Sequence, residues 1–472
     1  MNSHTLFAKT PPLKLFFLAS IPGAIGMLAS AIYQLVDGIL VGQFLGETAF
    51  AAINLAMPFV IINFALADLI GVGSAVPIAI NLGQKEEAKA NNIFTCSCLM
   101  IVGTGIIIGA LLYFMAPLLI ELMGAEGRFA LLAVQYLQVY AICSPLTTII
   151  FAVDNYLRIC GKIRSSMGLN ILMAVLGAGM EIVFLYVFKW GVWAAALAFC
   201  LSMIICAIIA FIPFFRGKML LRFCRPRFSV KMVRQILACG TPTFLNNVAG
   251  RVTSIVLNAI LVRLGGESAV SIYGILMYVE GFIQPLLYGM CDSLQPAIGY
   301  NWGAGQYSRV RAIGKCCFIA SAIISLISVS VILLFPEQIT QLFVPDSDAD
   351  FLVTAVLALQ LFSLTYVTRW FSFAMQSFML AIEKTLPASL LSISTALVFP
   401  LLLILILWPL GLITILWPMG LTGIWLNFAG TSLLAMILGF ILFGKYRSEL
   451  MQADIPRPQN DQSITEQTGA AC

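Results

Sequence analysis

Apolar residues run through this chain in long blocks separated by short polar or Gly/Pro-rich gaps. Twelve blocks can be drawn, with approximate limits 14–41, 50–80, 93–120, 129–157, 166–188, 191–214, 236–262, 268–299, 312–335, 351–381, 386–408 and 420–444. Each holds about 20 residues or more, enough at about 1.5 Å per residue to cross roughly 30 Å of hydrocarbon. The pattern predicts an all-α polytopic membrane protein with twelve transmembrane helices, since barrel strands would be about ten residues long and alternating. The first block is too long for the apolar core of a signal peptide and has no small-residue cleavage site behind it, so it reads as a retained span. Around Pro400 to Met419 the string LWPLGLITILWPMG reads as a loop, a re-entrant piece or the broken end of a helix.

Composition reinforces the pattern. Of 472 residues, 61% are hydrophobic and 10% charged, against roughly 45–50% and 25% in soluble domains. Charge then orients the spans. Lys9, Lys85, Lys89, Arg158, Lys162, Arg164, the basic run from Arg216 to Arg234, Arg309, Arg311, Lys315, Lys384 and Lys445 all fall on the side of the termini. Only Arg128, Lys189 and Arg263 fall opposite. The positive-inside rule therefore puts both termini in the cytoplasm. The stretch FRGKMLLRFCRPRFSVKMVRQ reads as a linker against anionic headgroups rather than a nucleic-acid site. The twelve cysteines lie mostly in apolar runs, without CxxC spacing, and read as buried small hydrophobes. Histidine occurs only at His4. Carboxylates must then do any proton work.

The chain repeats itself. An offset of 220 residues superposes Pro22 on Pro242, Gly46 and Glu47 on Gly266 and Glu267, Asn81 on Asn301, and Gly83 on Gly303. An offset of 222 superposes Gln138 on Gln360, Phe151 on Phe373 and Lys162 on Lys384. Ordered matches of Pro, Glu, Asn and Lys point to a duplicated six-helix unit. Because six is even, the halves are parallel repeats around a central cavity, the arrangement of a transporter working by alternating access. The expected division is a lobe over 1–214, a basic linker over 215–235, a second lobe over 236–445 and a disordered cytoplasmic tail over 446–472.

Eight charges fall inside spans: Asp37, Asp68, Asp154, Glu181, Arg251, Glu280, Asp292 and Arg369. Each is costly in the bilayer and should face a partner or a watery cavity. The acids outnumber the bases, so a cation, a proton or a bound substrate is the simplest supplement. Asp37 and Glu181 both come out in the outer half of the first lobe. If they share a site, like charge and burial favour a proton on one of them, as ion coupling requires. Arg251 and Glu280 come out near mid-depth on adjacent helices, where a salt bridge and a substrate contact are both open. Asp154, one turn from Arg158, and Asp292 fit interfacial solvation or pairing. Gly439-FILF-Gly444-Lys445 has phosphate-loop spacing, but Tyr446 follows and the interior is an apolar helix, so no ATPase is implied. No metal site or organic cofactor is expected.

The strings IPGAIGMLASAIYQLVDGILVGQFLGETAFAAINLAMP, VDNYLRICGK, GTPTFLNNVAGRVTSIVLNAILVRLGGESAVSIYGI and QPAIGYNWGAGQYSRVR carry a resemblance over roughly residues 14–445. The chain resembles the multidrug and toxic compound extrusion (MATE) transporters, nearest to the MepA-like bacterial branch. The resemblance implies a bacterial inner-membrane protein with two six-helix bundles around a V-shaped cavity, and export of cationic amphipathic compounds in exchange for Na⁺ or H⁺. It marks Asp37 as the coupling residue, with Glu181 at the acidic position of the fifth helix. Where many members carry an Asn and a Thr, this chain has Gly177 and Phe199. The loss of two oxygen ligands leans the coupling towards H⁺.

The reading is a monomeric secondary exporter, not an enzyme, with Asp37 and Glu181 as ion-coupling residues and Glu280, Arg251, Asp68 and Asn155 as substrate-cavity residues. Its partners would be cationic small molecules and membrane lipid. A lipid-linked sugar flippase would want excess Arg and Lys in the cavity, which is the reverse of this sequence. A membrane-embedded receptor or enzyme is the alternative of another class, without a Ser/His or Cys/His pair to support it.

Overall fold

The computed structural model describes residues 3–344, 349–407 and 420–451. No strand occurs among them. Twelve helices are long and apolar enough to span a membrane: Pro12–Leu45, Thr48–Gly83, Glu87–Leu122, Gly127–Ile159, Ile163–Val187, Val192–Phe215, Val230–Leu261, Ser268–Gly303, Tyr307–Leu334, Ala349–Ala381, Thr385–Ile406 and Leu421–Arg447. They are called here the first to twelfth spans. Several outrun the apolar blocks that predict them. The second, at 36 residues, is about 54 Å long and so stands well clear of the hydrocarbon.

The ends and irregularities depart from the sequence pattern. The linking segment is shorter than expected, because helix continues to Phe215 and resumes at Val230. The last helix runs to Leu450, past the expected limit at 445. The rest of the tail, 452–472, lies outside the described residues, as do 408–419. The fourth span breaks at Thr148, three residues after Pro145. The fifth and eleventh each widen into a π-helical turn, Val183–Val187 and Ser394–Val398.

The internal repeat is visible in the backbone. The turns joining the first to the second span and the seventh to the eighth both place glycine at positive φ, Gly46 at 83° and Gly266 at 60°. Lys85 and Gly305, again 220 apart, have φ of 66° and 68°. Gly161 and Glu383, 222 apart, have φ of 75° and 62°. A left-handed residue is unusual unless a turn demands it, so three such pairs at the repeat spacing are the same turns built twice.

The first six spans pack chiefly on one another, as do the last six, and the lobes meet through the first and second spans against the seventh and eighth. The described close approaches all use the terminus-side halves of these helices. A Cβ on Gly23 would lie 2.3 Å from the Gly289 carbonyl oxygen, and one on Gly240 would lie 1.8 Å from that of Leu69. Gly83 and Gly303, a repeat pair, abut the carbonyls of Tyr300 and Ile80, themselves a repeat pair, at 2.0 and 2.1 Å. Ser20 Oγ adds a hydrogen bond to the Met290 carbonyl at 3.3 Å. Small residues thus let the lobes touch backbone to backbone on the side of the termini. Towards the other side the first and eighth spans diverge around a cavity of about 360 Å³, lined by Ala31, Gln34, Met277, Tyr278 and Phe282 among others.

Candidate functional site

Asp37 sits on the first span with Tyr33 one turn before it, so that the Tyr33 hydroxyl donates to Asp37 Oδ1 at 3.4 Å. Glu181, near the end of the regular α-helix of the fifth span, is fully buried. Asp37, Tyr33 and Tyr136 are its polar neighbours. Neither Glu181 carboxylate oxygen has a hydrogen-bond partner. Two carboxylates face one another here, and both are acceptors. A proton on either carboxyl turns one of the two acceptors into a donor.

The Tyr33 ring explains how the surrounding residues fit. It stacks on Phe199 of the sixth span, centroids 5.2 Å apart and planes within 5°. It also lies against Gly177, where a Cβ would be 2.8 Å from Tyr33 Cε2. Gly177 and Phe199, the two departures from the MATE pattern, are therefore two sides of one aromatic slot. Tyr140, with its centroid 6.1 Å from that of Phe199, and Tyr136, 5.2 Å from Tyr140, continue the aromatic wall. The wall of the slot is aromatic, and Tyr33, Tyr136 and Tyr140 each bring one hydroxyl to it.

The second lobe is arranged differently. Glu280 Oε1 pairs with Arg369 Nη2 at 2.7 Å, and the Tyr366 hydroxyl donates to the other carboxylate oxygen. The salt bridge considered for Glu280 with Arg251 is not made. Depth along the helices puts those two residues level, but depth says nothing about which way each side chain points. Arg251 is exposed and has no ion pair among the described residues.

Near the terminus side of the lobe interface lie three more acids. Asp154 pairs with Arg158 at 2.6 Å and accepts from Ser166 Oγ at 2.5 Å and Asn170 Nδ2 at 3.0 Å. Asp292 accepts from Ser377 Oγ at 2.9 Å and Gln295 Nε2 at 2.8 Å. Burial and pairing, rather than interfacial solvation, account for both. Asp68 is half-buried beside them and makes no ion pair. Asn155 directs its amide back to the Phe151 carbonyl at 3.1 Å, within its own helix.

The structure thus brings Asp37 and Glu181 together and leaves Arg251 without an ion pair to Glu280. Sequence reasoning missed Tyr33, Tyr366 and the role of Arg369. Tyr33 was within reach, since it stands four residues before Asp37 on one helix face. Among the described residues no group of His, Cys, Asp or Glu is placed to hold a metal ion.

A multidrug export protein MepA of Staphylococcus aureus (strain MSSA476) is 25% identical over 369 residues, covering 76% of this chain and 79% of that one. One from Staphylococcus saprophyticus is 26% identical over 363 residues, with the same coverage. A crystal structure of MATE in complex with MaL6 superposes with a TM-score of 0.89 at 23% identity, covering 95% of this chain and 99% of that one. The outward-facing conformation of a multidrug resistance MATE family transporter does so at 0.86 and 24%, covering 95% and 99%. These structures share the fold. The MatE family model matches residues 22–183 and 242–406, one segment in each repeat. This multi-pass, twelve-span chain belongs to the MatE family of multidrug efflux transporters.

Proposed function

We propose that the chain is a secondary exporter that expels cationic amphipathic compounds by antiport, with H⁺ as the coupling ion held between Asp37 and Glu181. The observation that carries this is Glu181, buried without a hydrogen-bond donor and beside a second carboxylate. A single proton satisfies that pair, by turning one acceptor into a donor. Na⁺ would want several oxygens, and the slot around Tyr33 presents aromatic carbon from Phe199 and a bare backbone at Gly177 instead.

The lobe geometry supports alternating access. With both termini in the cytoplasm, as the basic residues argue, the glycine-rich contact is the closed inner gate and the cavity between the first and eighth spans opens outward. Protonation from outside reduces the negative charge of the acid pair from two to one and weakens the hold of the first lobe on a bound cation. Asp68, Asn155, Arg251 and Glu280 contribute to the path the substrate takes, with Glu280 tempered by Arg369.

The test is efflux of a cationic dye from proteoliposomes with the H⁺ and Na⁺ gradients imposed separately. Efflux should follow the H⁺ gradient and collapse with a protonophore. Asp37→Asn should lower that gradient-driven rate by at least about tenfold, in the range removed when a proton-transfer group is lost. Wild-type rates in Asp37→Asn, or drive by Na⁺ alone, would overturn the reading.

A further inference from the structure

A cavity of about 590 Å³ opens at the terminus-side end of the seventh span, away from the space between the lobes. Val233, Leu237, Ala238 and Thr241 form its floor, and Phe228 and Arg234 stand at its mouth. This helix stripe is turned away from both packed faces of the span. Gly240 abuts the second span, while Gln235 donates to Glu383 and the Pro242 carbonyl accepts from Ser392, both on the side of the second lobe. The Thr241 hydroxyl is spent on the Leu237 carbonyl at 2.7 Å, so the floor is effectively apolar. Thr241 lies eleven residues, about 16 Å, beyond Val230. The groove therefore runs from the headgroup level into the hydrocarbon.

Its mouth is strongly basic and its wall is fixed. Arg225, Arg227, Lys231 and Arg234 are all exposed, and no Asp or Glu occurs between residues 182 and 266. The linker that forms the wall is pinned to the third span. Its Arg227 backbone donates to Asn92 Oδ1 at 2.8 Å, and Asn92 Nδ2 donates to the Arg227 carbonyl at 2.9 Å.

The repeat supplies a comparison within the chain. Subtracting 220 places Lys14 at Arg234, Phe17 at Leu237, Leu18 at Ala238 and Ile21 at Thr241. Phe17 and Ile21 are 52% and 51% exposed, so both lobes turn this face outward. In the second lobe three smaller side chains leave a hollow, and a guanidinium replaces the ammonium above it. General lipid contact asks only for an apolar surface. A hollow beneath a forked donor instead fits one phosphate with an acyl chain below it.

We propose that this groove is a site for one anionic membrane phospholipid, with its phosphate on Arg234 and an acyl chain along Leu237 to Thr241. The surrounding basic residues select an anionic headgroup over a zwitterionic one. Because the wall is strapped to the first lobe and the floor belongs to the second, the bound lipid bridges the lobes on the side of the termini.

The experiment is native mass spectrometry of the full chain in detergent. It is titrated with phosphatidylglycerol, with phosphatidylcholine of the same chains, and with glycerophosphoglycerol, the headgroup without chains. The wild type should take up one phosphatidylglycerol saturably and more tightly than either of the others. Arg234→Gln should weaken that first adduct about tenfold, the scale of a lost hydrogen bond to a charged group, and Arg234→Lys should recover part of the loss. Ala238→Leu with Thr241→Ile, which copies the first lobe and removes no charge, should weaken it as much. Lys14→Gln and Arg216→Gln, which remove exposed cations of the same side outside the groove, should leave it unchanged. An equal loss in Arg234→Gln and Arg216→Gln, a series of adducts without saturation, or full binding in the filled-groove variant overturns the proposal, since lipid then only surrounds the protein. Equal affinity for the chainless headgroup also overturns it, because the site would then hold a free anion.

Discussion

At the scale of residues, the two lobes treat their buried acids in opposite ways, and the difference predicts different mutant behaviour. Glu280 is a neutralised group, and its removal leaves Arg369 largely buried without its counter-ion. Glu280→Gln should destabilise the protein by about 3 kcal/mol, the low end for breaking a buried pair by removing one partner. Glu280→Gln combined with Arg369→Gln should recover much of that loss in a thermal melt. Glu181 has no such partner, so Glu181→Gln brings an amide donor to Asp37 and should leave the melting temperature unlowered while proton-driven efflux collapses. Gly177→Ala probes the same slot from behind. Its Cβ would press on Tyr33 Cε2 at 2.8 Å, moving the hydroxyl relative to Asp37, and should lower efflux several-fold without loss of expression. The acids were legible in the sequence because a charge in an apolar run has no innocent explanation. Their partners were not, because an axial position fixes depth but leaves helix rotation open. Arg251 and Glu280 are level yet unpaired, and Arg369 reaches Glu280 from a span 89 residues further along the chain.

At the scale of elements, the spans were legible and their terminal attachments were not. Twenty apolar residues announce a span whatever surrounds it. Nothing comparable announces that the short helix Ser3–Lys9 docks on the second lobe. There Arg309 Nη2 donates to the carbonyls of Phe7 and Thr10 at 2.8 and 2.7 Å, and Asn301 Nδ2 also donates to Phe7 at 3.1 Å. The interlobe linker is held in a related way on the first lobe. Asn91 and Asn92 accept from the backbone of Arg222 and Arg227, each at 2.8 Å, and Thr95 accepts from Cys224 at 3.1 Å. The segment before each lobe's first span, 220 residues apart, is thus strapped to the other lobe's membrane-face helices. Arg309→Gln removes charged donors from two carbonyls, worth about 1.5–3 kcal/mol. Amide exchange around Phe7 should accelerate by roughly ten- to a hundredfold, and exchange in the linker at Cys224 should not change. If both segments loosen together, the two straps are one cooperative unit rather than separate attachments.

At the scale of the molecule, the alternating access proposed above needs two alternative closures, and duplication is what would let a bundle of apolar helices have them. Ordered matches at 220 residues implied two similar lobes; they did not show where the lobes touch. That depends on glycines whose neighbours belong to the other repeat. Gly83 and Gly303 meet almost symmetrically across the interface, and Gly73 and Gly240 bring the second and seventh spans to backbone contact. A contact of this kind has a definite vulnerability. At Gly240 the obstructing atom is the Leu69 carbonyl oxygen, which cannot rotate away as a side chain would. Any Cβ must either distort the second span or part the lobes. Overpacking costs about 1–3 kcal/mol, and if the lobes part it falls wholly on the conformer closed on the terminus side. The population ratio should then move roughly 5- to 150-fold towards the conformer open on that side. Spin labels on exposed Lys89 and Lys315, one in each lobe on the terminus side, can read this as growth of the longer-distance population in Gly240→Ala. Gly250→Ala, where a Cβ would meet nothing within 4 Å, is the control on the same helix and should leave the distribution as in the wild type. A Gly240→Ala distribution equal to wild type would mean that the second span yields instead, and that the lobes are not rigid bodies at this contact.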